Sequence, residues 1–148
     1  MWNDRKSIQL SLALVDLFGL IALVCACTMP MIAGWYAEQF GRSAQMRRVL
    51  TIAFYCCLPF AIAALGALHH LLHNLLKERP FIAQNVMLLR VLSWCCFAVA
   101  LIALVACRFY LPFLLVCIAA AFIGLILRVI KNVFCTAIEI QTENDMTI

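Results

Sequence analysis

A single carboxylate, Asp16, lies within the first long apolar run of the chain. A carboxylate at the centre of a membrane costs about 2.5–3.5 kcal/mol on insertion scales, and such groups often relay protons or cations. The uncharged residues 17–37, at about 1.5 Å per residue, can cross a ~30 Å hydrocarbon core without it. Three interpretations of Asp16 follow: a carboxylate at the membrane interface, a hydrogen bond inside a helix bundle, or an ion-binding or substrate-binding group.

Three histidines, His69, His70 and His73, lie at the end of the second apolar run. His69 and His73 share one face of a helix, at a spacing that can bind a transition metal. The nearby sequence offers no third ligand of obvious spacing, and imidazoles also suit a membrane interface near a helix C-terminus. The alternatives are a weak metal site at His69 and His73, a pH-responsive charge and interfacial packing. We expect no metal and no cofactor.

The cysteines do not form a recognisable redox or metal motif. All nine lie inside or at the edge of apolar runs, and the neighbours in Cys56-Cys57 and in Cys95-Cys96 point about 100° apart on a helix. We interpret them as reduced thiols that pack as small hydrophobic side chains. The sequence also contains no Gly-rich phosphate loop, Ser/His/Asp arrangement or zinc-protease motif, so we expect a protein that is not an enzyme.

The composition indicates the environment that positions these residues. Hydrophobic residues make up 67% of the 148 residues, charged residues make up 12%, and the mean hydropathy is +1.05. A soluble domain has roughly 45–50% apolar and about 25% charged residues. A chain of this size cannot hide such an excess from water, so its apolar surface must face lipid. We expect one transmembrane domain over residues 1–148.

The apolar runs predict an all-α, polytopic membrane protein: four transmembrane helices in an antiparallel bundle, with amphipathic cytoplasmic helix extensions. Pro59 in the second run is expected to kink its helix. The connection over residues 74–90 contains an amphipathic helix that leads directly into the third span. The last helix continues past the membrane as an amphipathic helix and tail over residues 128–148. The predicted spans are approximately residues 10–36, 49–73, 91–107 and 109–130.

Basic residues predict the orientation of these spans. With four spans, both termini and the central connection share one side of the membrane. That side carries seven basic residues and the other side carries four. Since basic residues favour the cytoplasm, the count places both termini and the central connection on the cytoplasmic side of the membrane. The seven are Arg5, Lys6, Lys77, Arg79, Arg90, Arg128 and Lys131, and the four are Arg42, Arg47, Arg48 and Arg108.

Two segments carry a family resemblance. They are Lys77-Glu78-Arg79-Pro80-Phe81-Ile82-Ala83-Gln84-Asn85, continuing to Leu88-Leu89-Arg90-Val91-Leu92-Ser93-Trp94, and the ending Glu143-Asn144-Asp145-Met146-Thr147-Ile148. The chain resembles small bacterial four-helix membrane proteins grouped as domain of unknown function 2975. The chain has one arginine, Arg90, where that family's helix has several, and Met146 where leucine is usual. The resemblance implies a regulatory pair with a helix-turn-helix transcription regulator, and it implies no activity.

These observations lead to two hypotheses of function. The first is a non-enzymatic regulatory or interaction protein that binds a cytoplasmic partner such as a transcription regulator, without binding nucleic acid itself. The second is a small transporter or channel subunit, with an oligomer of the chain as an open alternative, that uses Asp16. The cytoplasmic helices can also merely cap the bundle. The candidate partner-binding residues are Lys77, Arg79, Pro80, Phe81, Asn85, Arg90, Glu143, Asn144 and Asp145.

Overall fold

The computed structural model describes residues 4–41, 43–77 and 83–146. These segments form four α-helices, and each helix is long and apolar enough to cross a membrane. The prediction of an all-α protein with four transmembrane helices is therefore confirmed. Residues 83–90, which were expected to lead into the third span as a helix, are continuous with it. The helices are α1 (Asp4–Gln39), α2 (Ala44–Leu76), α3 (Ala83–Cys107) and α4 (Phe113–Met146).

Each helix packs against the helix that follows it. The pairs α1–α2, α2–α3 and α3–α4 are in contact, whereas in the described segments no comparable packing joins α1 to α3 or α4, or α2 to α4. Successive helices run antiparallel. We call the end with the start of α1, the end of α2, the start of α3 and the end of α4 the terminal side. The opposite end is the loop side.

Burial differs between the helices. A third (33%) of the most apolar window of α3 is buried, against 6% in each of the other helices. Large apolar side chains on the other helices remain exposed, as at Leu23 and Leu115. In water this exposed surface would be unfavourable, and in a bilayer it faces acyl chains. The helix α3 is therefore the centre of the fold.

The α3–α4 pair approaches closely at Gly124. A Cβ atom at this position would lie 3.2 Å from the Phe97 ring and 3.3 Å from Cys96 Cβ. Beside it, Ser93 Oγ donates a hydrogen bond to the Gly124 carbonyl at 2.9 Å, and Ser93 is buried. Lipid gives helices little hydrophobic reason to associate, so small residues and interhelical hydrogen bonds hold such pairs together. This contact fixes the register of α3 against α4.

The α1–α2 pair has a hydrogen bond at a proline. Pro30 lies inside α1, and because proline has no N–H, the carbonyl of Ala26 four residues earlier loses its helical donor. Tyr55 Oη of α2 donates to that carbonyl at 2.7 Å. The bond therefore satisfies the acceptor that Pro30 leaves open. In α2, the helix continues through Pro59.

The loop side is closed by short connections. Gly41 adopts a positive φ of 57° after α1, a conformation that glycine accepts without strain. Residues 108–112 form the turn between α3 and α4, so α4 begins at Phe113 rather than near residue 109, with the Pro112 carbonyl accepting from Leu115 N–H. The Tyr36 and Tyr110 hydroxyls lie 2.7 Å apart and join α1 to this turn.

Candidate functional site

The structure brings together two residues that the sequence singled out separately. Asp16 of α1 and His69 of α2 form a hydrogen bond, with 2.8 Å between Asp16 Oδ1 and His69 Nδ1. Their side chains are 60% and 42% exposed, respectively. An ionised carboxylate only accepts hydrogen bonds, so Nδ1 is then the donor and Nε2 is the remaining ring position. As an exposed ion pair it would contribute only about 0–1 kcal/mol to stability.

Helix length gives the depth of this pair in the membrane. At about 1.5 Å per residue, Asp16 lies about 33 Å along α1 from Glu38, and His69 lies about 32 Å along α2 from Arg48. A hydrocarbon core about 30 Å thick fits between these two levels. A hydrocarbon core placed between these two levels would leave the Asp16–His69 pair at its terminal-side edge, where a charge costs less than at the membrane centre.

A groove of about 400 Å³ between α1 and α2 begins at the Asp16–His69 pair. Small residues widen it, and leucine and isoleucine side chains supply the rest of its wall. The groove has one polar end, at the Asp16–His69 pair, and an apolar wall along the rest of its length. The small residues are Gly19, Ala22, Ala26 and Gly66.

The histidines do not converge with other metal ligands in the described segments. His69 uses Nδ1 for Asp16, and His73 is exposed one turn later on α2. The rings of His69 and His70 meet edge to face with their centroids 6.2 Å apart. No group of three His, Cys, Asp or Glu side chains that could hold a metal ion occurs among residues 4–41, 43–77 and 83–146. All nine cysteines are free thiols.

Asn85 is placed differently from its expected role as a partner-binding residue. Its side chain is fully buried, at 0% exposure, and its Oδ1 accepts a hydrogen bond from Asn74 Nδ2 at 2.8 Å. The expectation that Asn85 faces a partner is wrong, because packing of α2 on α3 covers this face of the helix. The asparagine pair instead joins α2 to α3 close to the terminal side.

The other partner-binding candidates divide into three groups. Lys77, Arg90, Glu143 and Asn144 are exposed at the terminal side. Asp145 belongs to α4, but its side chain lies outside the described part of the structure. Arg79, Pro80 and Phe81 lie wholly outside it. Within the described segments, Lys77 and Arg90 form no ion pair with Glu139.

Sequence reasoning missed the partners of several side chains. Each of these hydrogen bonds joins residues on different helices, which the sequence does not pair. They are His69 to Asp16, Asn74 to Asn85 and Tyr55 to the Ala26 carbonyl. The Pro30 position was the one available signal, because a proline inside a membrane helix indicates a carbonyl that needs another donor.

Comparison with known proteins tests the family resemblance of residues 77–94 and 143–148. No curated protein and no solved structure matches the chain. Residues 31–148, which include α2, α3, α4 and both segments, match the family described as "Protein of unknown function (DUF2975)". The family resemblance stated from the sequence is therefore confirmed, and the chain belongs to the DUF2975 family.

Proposed function

We propose that this chain is a non-enzymatic regulatory protein of a bacterial cytoplasmic membrane, with both termini in the cytoplasm. We propose further that it binds a cytoplasmic transcription regulator through the end of α4 and its tail. The observation that carries this proposal is the length of α4 beyond α3, the one described helix that packs against it.

The register of α3 against α4 gives that length. Ser93 lies opposite Gly124, so Ala83 at the start of α3 lies opposite about residue 134, and α4 continues about 18 Å further to Met146. Ile140 in this projecting part is 54% exposed, and it shares one face of α4 with Val133, which is 61% exposed. An apolar strip on a helix that has left the bundle is a typical docking surface for a protein groove.

Charge and family resemblance support the nature of the partner. The terminal side carries seven basic residues against four on the loop side, the asymmetry that favours a cytoplasmic location. The resemblance to the DUF2975 family implies a neighbouring helix-turn-helix regulator. The other face of the projecting helix carries polar residues that can orient such a partner, with little net binding energy. These are Glu139 and Thr142.

The experiment measures binding of the regulator encoded beside this gene to the full chain in lipid nanodiscs. Ile140→Asn removes an apolar contact of roughly 1.5 kcal/mol or more, so the dissociation constant should rise about tenfold. Gln141→Asn is the matched control, because its side chain points about 100° away on the same turn, and it should leave binding unchanged. If Ile140→Asn binds as wild type does, the surface is wrong, and if wild type does not bind the regulator, the partner is wrong.

The Asp16–His69 pair favours a second candidate function, a small transporter or channel subunit. The pair borders the α1–α2 groove at the membrane interface, where a proton or cation could enter. In liposomes, proton or cation flux should then fall strongly on Asp16→Asn and should not change on Glu38→Gln, an exposed loop-side control. Flux that is indifferent to Asp16→Asn would contradict this second function.

A further inference from the structure

A small cleft between α3 and α4 at the terminal side contains three cationic side chains. It has a volume of about 50 Å³ and is lined by Arg90, Ser93, Trp94, Arg128 and Lys131. Arg90, Ser93 and Trp94 share one face of α3, because they lie three and four residues apart. Arg128 and Lys131 share the facing side of α4 in the same way. The cleft thus collects positive charge from both helices.

The cations in this cleft have no anionic partner among the described residues. Among the described side chains, which exclude those of Asp4 and Asp145, neither Arg90 nor Lys131 forms a hydrogen bond or ion pair, and the contacts of Arg128 are cation–π contacts with Trp94 and Phe97. Three like charges gathered in one cleft repel one another, so an anion placed between them would be stabilised by all three.

The cleft is also held in shape before any ligand binds. Arg128 Cζ lies 5.5 Å from the centroid of the Trp94 ring and 5.9 Å from that of Phe97, which orients the guanidinium by cation–π contact. Ser93 donates its one hydroxyl proton to the Gly124 carbonyl, so it fixes the helix spacing and leaves ligand binding to the cations. Preorganised donors bind an anion with less loss of side-chain entropy.

The level of the cleft identifies where its ligand comes from. Arg90 lies about 27 Å along α3 from Arg108, close to the ~30 Å thickness of the hydrocarbon core. Trp94 is 60% exposed, and tryptophan favours the headgroup level of a membrane. The cleft therefore opens at the layer of lipid phosphates on the terminal side. Its volume is several times the ~10–15 Å³ that one water molecule needs.

We infer that this α3–α4 cleft is a binding site for the phosphate group of an anionic ligand, with Arg90, Arg128 and Lys131 as its cationic contacts. A guanidinium can donate two parallel hydrogen bonds to phosphate oxygens, and a lysine adds a point charge. Basic pockets between transmembrane helices bind anionic headgroups by the same chemistry. A phosphocholine headgroup fits poorly, because its own ammonium would be repelled. This inference does not depend on the regulator proposed above.

The test uses the full chain in detergent, with native mass spectrometry to measure lipid retention. Wild type should retain phosphatidylglycerol in preference to phosphatidylcholine. Arg90→Gln/Lys131→Gln removes two charges and leaves the Arg128 stacking intact, so its dissociation constant for phosphatidylglycerol should rise between about tenfold and thirtyfold. Lys6→Gln/Lys77→Gln removes two terminal-side charges outside the cleft and should change the dissociation constant for phosphatidylglycerol less than twofold. Circular dichroism melting confirms that each variant is folded.

A second arm distinguishes the source of the phosphate. Lipid-depleted protein is titrated with inorganic phosphate, with the melting temperature as the readout. Phosphatidylglycerol preference without a phosphate-induced shift assigns the site to a lipid headgroup. A phosphate-induced shift in wild type that the Arg90→Gln/Lys131→Gln variant loses assigns it to a free phosphate. Equal retention of both lipids together with no phosphate shift, or equal losses in the cleft and control variants, would overturn the inference. Arg128→Gln provides an independent check if the double variant does not fold.

Discussion

Tyr55→Phe should destabilise the fold by about 1–2 kcal/mol, because it leaves the Ala26 carbonyl without a donor. Pro30 cannot supply the helical N–H, and Tyr55 Oη donates at 2.7 Å in its place. Ala26 lies about 18 Å along α1 from Glu38, well inside the hydrocarbon core, where no water replaces a lost bond. The substitution removes one oxygen atom and preserves the ring, so packing changes little.

Pro30→Ala provides a matched background for this measurement. Alanine restores an N–H at position 30 that can bond to the Ala26 carbonyl within α1. In the Pro30→Ala background, Tyr55→Phe should therefore cost less than about 0.5 kcal/mol. Interhelical hydrogen bonds in membrane proteins contribute about 0.6 kcal/mol on average and about 1.7 kcal/mol at most. The coupling energy between the two positions should lie near the upper value, because the carbonyl has no other donor when Pro30 is present.

The assay is reversible unfolding in mixed micelles, with the free energy of unfolding of four proteins followed by circular dichroism as the dodecyl sulfate fraction rises. The four are wild type, each single variant and the double variant, and the coupling energy is the departure from additivity. If Tyr55→Phe costs the same in both backgrounds, Tyr55 does not compensate for Pro30, and the explanation of this contact is wrong.

Three further predictions use the same unfolding measurement. Replacing a helical glycine by alanine gains about 1 kcal/mol in helix propensity, but at Gly124 overpacking against α3 costs about 1–3 kcal/mol. Gly66→Ala should therefore be more stable than Gly124→Ala, because the space that a Cβ would occupy at position 66 is open. The reverse order of stability would contradict the close approach of α3 and α4 at Gly124. A double-mutant cycle of Asp16→Asn and His69→Asn should give a coupling energy of about 0.5–1 kcal/mol, and strict additivity would mean the pair does not form. Asn85→Ala should cost about 1–3 kcal/mol, since it leaves the part-buried amide of Asn74 without its acceptor, whereas a neutral effect would mean that the Asn74–Asn85 bond does not stabilise the fold.

The number and type of the helices were predictable, because each apolar run is long enough to cross lipid and lipid requires backbone groups to bond within the helix. The contacts between helices were not. Asp16 and His69 each stood out in the sequence, but their pairing depends on how far α1 and α2 are rotated about their axes. Asn85 shows the same limit: its polarity favoured an exposed position, and only the packing of Asn74 on it explains its burial.

Each successive pair of helices is joined by a polar contact toward the terminal side. Asp16–His69 joins α1 to α2, Asn74–Asn85 joins α2 to α3, and the Ser93 hydroxyl joins α3 to the α4 backbone. Because acyl chains are as apolar as the helix surfaces, these bonds carry more of the association than they would in a soluble core.

The basic cleft and the projecting end of α4 lie on this same side. A phosphate held between Arg90 and Lys131 would lie about one helical turn from Ser93. A protein bound at Ile140 would contact α4, the helix to which Ser93 is hydrogen-bonded.

The α1 helix packs against α2 alone among the described helices, so Asp16→Asn should loosen α1 more than Asn85→Ala does. Hydrogen exchange of the α1 backbone amides measures this difference, and equal protection in the two variants would mean that α1 is held by packing rather than by the Asp16–His69 bond.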